Sequence, residues 1–158
     1  MEYTLSDLAR ITGAKRRALQ LWAEAGVLHT DDVHGGRGAH RKYSRDEAIV
    51  ACVMTYLANM QISIGMLVKV AGVFRSELLP KIRDSVDLAI IDTKVVYLIV
   101  QDRADDFKMH AVGCNRDDPE DKKMDVDRTI GRLATEHLHE PESGTIVMLL
   151  NTHLSALR

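Results

Sequence analysis

Thr4-Leu5-Ser6-Asp7-Leu8-Ala9-Arg10-Ile11-Thr12-Gly13, followed by Ala14-Lys15-Arg16-Arg17-Ala18-Leu19-Gln20-Leu21-Trp22-Ala23-Glu24-Ala25-Gly26, is the stretch on which the fold turns. Thr4 and Asp7 form a capping box that opens one helix, the Thr hydroxyl taking an orphan N–H and Asp7 reaching back. Leu5, Leu8 and Ala9 make its inner face, and Gly13 closes it at a turn that needs positive φ. A second helix follows from about Ala14 to Ala25, with Ala18, Leu19, Trp22 and Ala23 on one apolar stripe, and Gly26 stops it. Two short helices across a glycine turn are a helix-turn-helix.

Outward from that pair, His29 to Tyr43 is too polar and too rich in glycine for a helix. It suits a β-ribbon with a loose tip at Gly35–Gly38. Ser44-Arg45-Asp46-Glu47 is a second capping box, opening a helix from Arg45 to about Met60. The uncharged run Ala48–Val68 is long enough to cross a bilayer, but Ile49, Cys52, Val53, Tyr56 and Leu57 recur on one helical face, which reads as a helix packed on protein. A fourth helix starts near Ser63 and carries Leu67, Val70, Ala71, Phe74 and Leu78 inward. Pro80 bends or ends it, or opens a short helix to about Asp87.

Beyond Asp92 the texture changes. Val95–Gln101 and Asp106–Gly113 read as strands, with Gln101–Asp105 as the polar turn between them. Pro119–Leu138 is helical in pattern, Pro141–Gly144 is a turn, Thr145–Asn151 a buried strand, and Thr152–Arg158 a last helical turn or two. The expected fold class is therefore α+β. A winged helix-turn-helix occupies residues 1–78, a connecting helix 79–91, and a small α+β domain 92–158. The second domain, at that size, leans on the first or on another copy of itself.

With 158 residues, 46% of them apolar, the chain can bury a core without staples. Its net charge of -2 means that any nucleic-acid contact must come from a local patch. Two tight basic groups supply one: Lys15-Arg16-Arg17 with Gln20 one turn on, and the ribbon's Arg37, His40, Arg41 and Lys42. Three cations at a helix N-terminus oppose the helix dipole, a conflict that a nearby polyanion removes. In a helix-turn-helix the second helix enters the major groove by its N-terminal end, and the ribbon is placed to grip flanking phosphates or the minor groove.

No Ser/His/Asp order, phosphate loop or paired-carboxylate setting stands out, so no enzyme activity is expected. His137 and His139 point to different sides of a helix, and His29, His34 and His40 flank the ribbon, so no metal is expected. Asp102, Asp105 and Asp106 lack the glycine and terminal Glu of a calcium loop. Tyr97 and Phe107 are the only aromatics beyond residue 90, too few to line a large ligand pocket, and no cofactor is expected. Cys52 and Cys114 form no CxxC knuckle; Cys52 reads as a buried core thiol and Cys114 as an exposed one at a strand end. Reduced thiols and a start without a basic-then-apolar leader fit a cytoplasmic protein.

Residues 3–79 resemble the MerR family of bacterial transcription regulators. Tyr3-Thr4-Leu5-Ser6-Asp7-Leu8-Ala9, Thr12-Gly13-Ala14, Leu19 to Leu28, Gly36-Arg37-Gly38 and Arg41-Lys42-Tyr43-Ser44 carry the likeness. The resemblance implies that Lys15, Arg16 and Arg17 lie on a recognition helix and that Arg37, Arg41 and Tyr43 belong to a wing. It also implies that Trp22 replaces a helix-two aromatic that packs and touches a phosphate. Double-stranded DNA, a second copy of the chain and RNA polymerase are the partners it implies. The family usually carries Arg after the helix-two Leu, where this chain has Gln20, and one long dimerising helix after the wing, where this chain has Pro80. An excisionase-like DNA-bending factor and a protein-interaction adaptor are the competing readings.

Overall fold

The computed structural model describes residues 2–30, 41–90, 94–103, 106–115, 118, 128–129, 132 and 145–157. The chain divides into two units, Met1–Leu79 and Pro80–Ala156. In the first, strand β1 (Tyr3–Thr4) leads directly into α1 (Leu5–Thr12), and α2 (Arg16–Ala25) follows. Thr4 caps α1 reciprocally: the Asp7 N–H donates to Thr4 Oγ1 (3.2 Å) and the Thr4 N–H to Asp7 Oδ2 (3.0 Å). Gly13 (φ +71°) and Gly26 (φ +84°) end the two helices in the left-handed region, which costs glycine nothing. Leu8, Ile11, Leu19, Trp22, Val27 and Leu28 build the core between them.

Most of the expected ribbon, residues 31–40 with the tip Gly35–Gly38, lies outside the described residues. After it, β2 (Lys42–Tyr43) pairs antiparallel with β1, Tyr3 opposite Tyr43 and Thr4 opposite Lys42. Ser44 then caps α3 (Arg45–Asn59), accepting from the Glu47 N–H (3.2 Å). The expected second capping box is only half made. The Glu47 carboxylate, instead of reaching back, accepts from the His29 N–H and from Arg75, whose charged guanidinium is the stronger donor in a buried setting. Almost every residue of α3 from Glu47 to Leu57 is buried, which explains its uncharged composition without a bilayer. No described helix is long and apolar enough to cross a membrane.

After a turn at Met60–Ser63, α4 (Ile64–Val73) is capped by Ser63, whose Oγ accepts from the Met66 N–H. Pro80 does not end the helical run. Phe74–Leu78 forms one π turn, and α5 (Leu79–Ile90) follows with no non-helical residue between. An interior proline lacks an N–H and clashes with the carbonyl four residues back. The wide turn just before Pro80 relieves that conflict, the Leu79 N–H bonding to Phe74 O five residues back. The inward residue shifts with it. Leu79, not the expected Leu78, is fully buried after Phe74, because in a π turn position i+5 comes to lie over position i. The helix also runs past Asp87 to Ile90.

In the second unit, β3 (Lys94–Arg103), β4 (Asp106–Asn115) and β5 (Thr145–Leu149) form an antiparallel sheet in the order β4-β3-β5. The central strand is buried on both faces, as its unbroken apolar run requires. The hairpin is tighter than expected: pairing reaches Arg103 opposite Asp106, and Gln101 is buried in β3 rather than part of a turn. The last strand is shorter than expected, because the chain turns helical at Leu150 as α6 (Leu150–Leu154), continuing as a 3-10 turn Ser155–Leu157. Asn151 explains the stop. Its Oδ1 accepts from the Val96 N–H (2.9 Å), and its Nδ2 donates to Lys94 O (2.6 Å) and Ala89 O (3.2 Å), replacing the next rung of the ladder. Cys114, expected at the surface, is fully buried with its Sγ 3.8 Å from Val95 O. Within the expected helix 119–138 only Arg128, Thr129 and Arg132 are described, and they are helical.

Candidate nucleic-acid interface

The outward side of α2 is set by what its inward side buries. Leu19 and Trp22 are buried, Arg16 and Arg17 at the open start of the helix are exposed, and Gln20 is half-buried beside them. The start of α2 differs from its neighbours. Thr4, Ser44 and Ser63 cap α1, α3 and α4 with hydroxyl oxygens, whereas the first residue flanking α2 is Lys15, with no side-chain cap and no acid in the first turn. A helix N-terminus carries about half a positive charge on its orphan N–H groups. Adding Lys15, Arg16 and Arg17 leaves a strongly electropositive, donor-rich end that no side chain among the described residues caps. An external anion fits it.

Three of the sequence-predicted residues are brought together. Arg16, Gln20 and Arg41 line an open cleft of about 230 Å³, closed on other sides by Thr4, Leu5, Ser6 and Glu24. The Leu5 and Ser6 N–H groups belong to the first turn of α1 and have no partner within that helix. Two guanidiniums, an amide and a helix N-terminus thus share one small concavity, a donor set suited to a phosphate oxygen. Glu24, one turn beyond Gln20, brings an acceptor-only group to the same wall, of the kind that takes a hydrogen bond from a cytosine amino group.

The other predicted residues that the structure describes do not line this cleft. Lys15 and Arg17 are exposed on the first turn of α2. Lys42 is exposed but ion-paired with Glu2 (2.7 Å), and that pairing holds the Glu2 carboxyl below its ordinary value. Trp22 (6% exposed) and Tyr43 (0%) are core side chains, the indole lying on the apolar stripe of α2 as expected. Burial pushes the Tyr43 phenol above its ordinary value, with the Arg41 cation pulling the other way. Arg37 and His40 lie outside the described residues. Sequence reasoning missed Thr4, Leu5, Ser6 and Glu24. The capping box was a usable signal for the first three, since it marks where an anion-seeking helix end begins, and the i+4 spacing from Gln20 was the signal for the fourth.

Behind this surface lies a buried polar network. Glu47 is 4% exposed. Its Oε1 accepts from Arg75 Nε (2.5 Å), and its Oε2 from Arg75 Nη2 (3.0 Å) and the His29 N–H (2.8 Å). Arg75 Nη2 also donates to Val27 O (2.8 Å) and Nη1 to Ala71 O (3.4 Å). Among the described residues no cluster of His, Cys, Asp or Glu has the arrangement of a metal site.

Residues 3–72 match the family described as MerR HTH family regulatory protein. No curated protein matches the chain. Among solved structures, a transcriptional regulator of the MerR family from Bacillus cereus is similar at 20% identity, over 58% of this chain and 78% of that one, with a TM-score of 0.39. The matched segment takes in α1, α2, β2, α3 and nearly all of α4, so the N-terminal part of this chain is similar to the MerR helix-turn-helix family.

Proposed function

We propose that the chain is a sequence-specific DNA-binding transcription regulator. In this reading α2 lies in the major groove, with Arg16, Arg17 and Gln20 toward the bases. Arg41, Lys42 and the remaining ribbon cations, Arg37 and His40 among them, lie on the flanking backbone. The convergence of Arg16, Gln20 and Arg41 with the first turn of α1 on one cleft is the observation that carries it. One such module makes few phosphate contacts and binds weakly and salt-sensitively, so the working form is a dimer on two half-sites. The test is selection of duplex fragments from a random-sequence pool by the purified chain, followed by footprinting of the enriched site. A two-fold symmetric footprint, with Arg16→Ala relaxing preference at one base pair per half-site, is the expected result. Enrichment of no sequence, at any salt concentration, would overturn it.

A further inference from the structure

The segment that separates α2 from β2 departs at Val27-Leu28-His29 and returns at Lys42-Tyr43-Ser44, and both roots meet Glu47. On the departing side Glu47 Oε2 accepts from the His29 N–H. On the returning side the Glu47 N–H donates to Ser44 Oγ, and the Glu47 charge, after burial, adds to the upward push on the Tyr43 phenol. The carboxylate is almost sealed from water, so its direction is set by its partners rather than by solvent. Arg75 supplies two of those contacts through a rigid fork, and the same guanidinium donates to Val27 O. One side chain therefore holds the departing segment directly and also holds the acid that holds it.

A buried ion pair is a poor means of stabilising a fold, because apolar side chains of the same volume do as well or better. What it supplies is a fixed geometry. Arg75 also stands inside the π turn, where Arg75 Nη1 and Ser76 Oγ donate back to the Ala71 and Gly72 carbonyls of the preceding turn. We propose that Arg75 is a positioning residue for DNA binding: from the π turn it fixes the root of the ribbon through Val27 and Glu47, and so places the Arg41 end of the cleft, without touching DNA. This rests on the DNA-binding reading above.

The experiment measures affinity for sonicated mixed-sequence duplex DNA across a salt series, for the full chain and for Arg75→Ala, Arg75→Lys, Glu47→Gln and a core truncation on α1, Ile11→Ala. Each is first shown to be folded by Trp22 fluorescence. Arg75→Ala is expected to lose affinity about tenfold, with a salt slope shallower by about one, as when one or two phosphate contacts are lost. Arg75→Lys recovers part of both, having charge but no fork. Hydrogen exchange at the His29 amide rises in Arg75→Ala. Ile11→Ala lowers the unfolding midpoint but leaves the slope of the folded protein unchanged, which separates positioning from stability. A folded Arg75→Ala with wild-type affinity and slope overturns the proposal. Should Arg75→Ala fail to fold, Arg75→Lys decides by the same two readouts. If the unmodified chain ignores DNA, the DNA-binding reading itself falls and takes this proposal with it, a result distinct from equal binding by wild type and variant.

Discussion

Breaking the Glu47–Arg75 pair from one side and from both sides should have very different costs. Arg75→Met leaves a carboxylate whose side chain is 5% exposed with only the His29 N–H for company. Stranding a buried charge costs about 3–5 kcal/mol. Glu47→Gln keeps an oxygen for the His29 N–H but weakens two charge-assisted bonds, at about 1.5–3 kcal/mol. In the double variant no charge is stranded, so its cost should fall short of the sum of the single costs by about 2 kcal/mol, within the range for residues sharing one network. Trp22, the single tryptophan, lies in the same unit and is buried, so its fluorescence during urea unfolding reports this unit alone. Against a total of about 5–15 kcal/mol, the Arg75→Met loss moves the midpoint far enough to be measured without ambiguity. Additivity of the two single variants to within about 0.5 kcal/mol would refute the coupling. So would a cost below about 1 kcal/mol for Arg75→Met, the behaviour of an exposed pair.

Other outcomes follow from the same geometry. Gly26→Ala places a Cβ that meets nothing within 4 Å, so its cost is purely that of a left-handed φ of +84°, about 1–2 kcal/mol, checked as a lowered thermal midpoint. The Asp7 carboxyl is held below its ordinary 3.8 by the Thr4 backbone N–H and then the Thr4 hydroxyl. Its contribution is therefore complete above that value and vanishes as pH falls through the lower folded one. Asp7→Asn should remove that part of the acid dependence of unfolding, and an unchanged acid limb would count against the cap. Burial pushes the Cys52 thiol up to about 12, so at pH 8 iodoacetamide should label it only after denaturant is added. Labelling of the native chain at Cys52 would contradict its place in α3.

What the sequence disclosed were the features written in adjacent residues. The Thr4–Asp7 box and the two helix-ending glycines are local chemistry, complete within four or five positions, and each appears as read. Features that join distant residues were hidden. The two-residue strand Tyr3–Thr4 has no length over which alternation could show, and its partner is about forty positions away. Glu47 looked like half of a capping box because nothing nearby reveals Arg75, and a charged partner from a later helix outcompetes a neighbouring backbone N–H. Leu78 was chosen as inward on a 3.6-residue period, which fails where five residues span one turn. For the interface, charge clustering picked out Arg16 and Arg41 but not the first turn of α1, whose donors are backbone groups and leave no mark in composition. Trp22 was legible for a local reason, since its place on the apolar stripe of α2 marks it as core, and it is buried.

The wide turn at Phe74–Leu78 has a consequence for how this chain tolerates insertions and deletions. An extra residue normally advances everything downstream by about 100°, scrambling which side chains face inward. Here the surplus is absorbed within one revolution, so the apolar rhythm that ends at Phe74 resumes in phase at Leu79. Removing one residue from 75–78 would rewind the backbone to ordinary pitch and keep that rhythm intact. Removing one a few positions later would swing the buried stripe toward solvent.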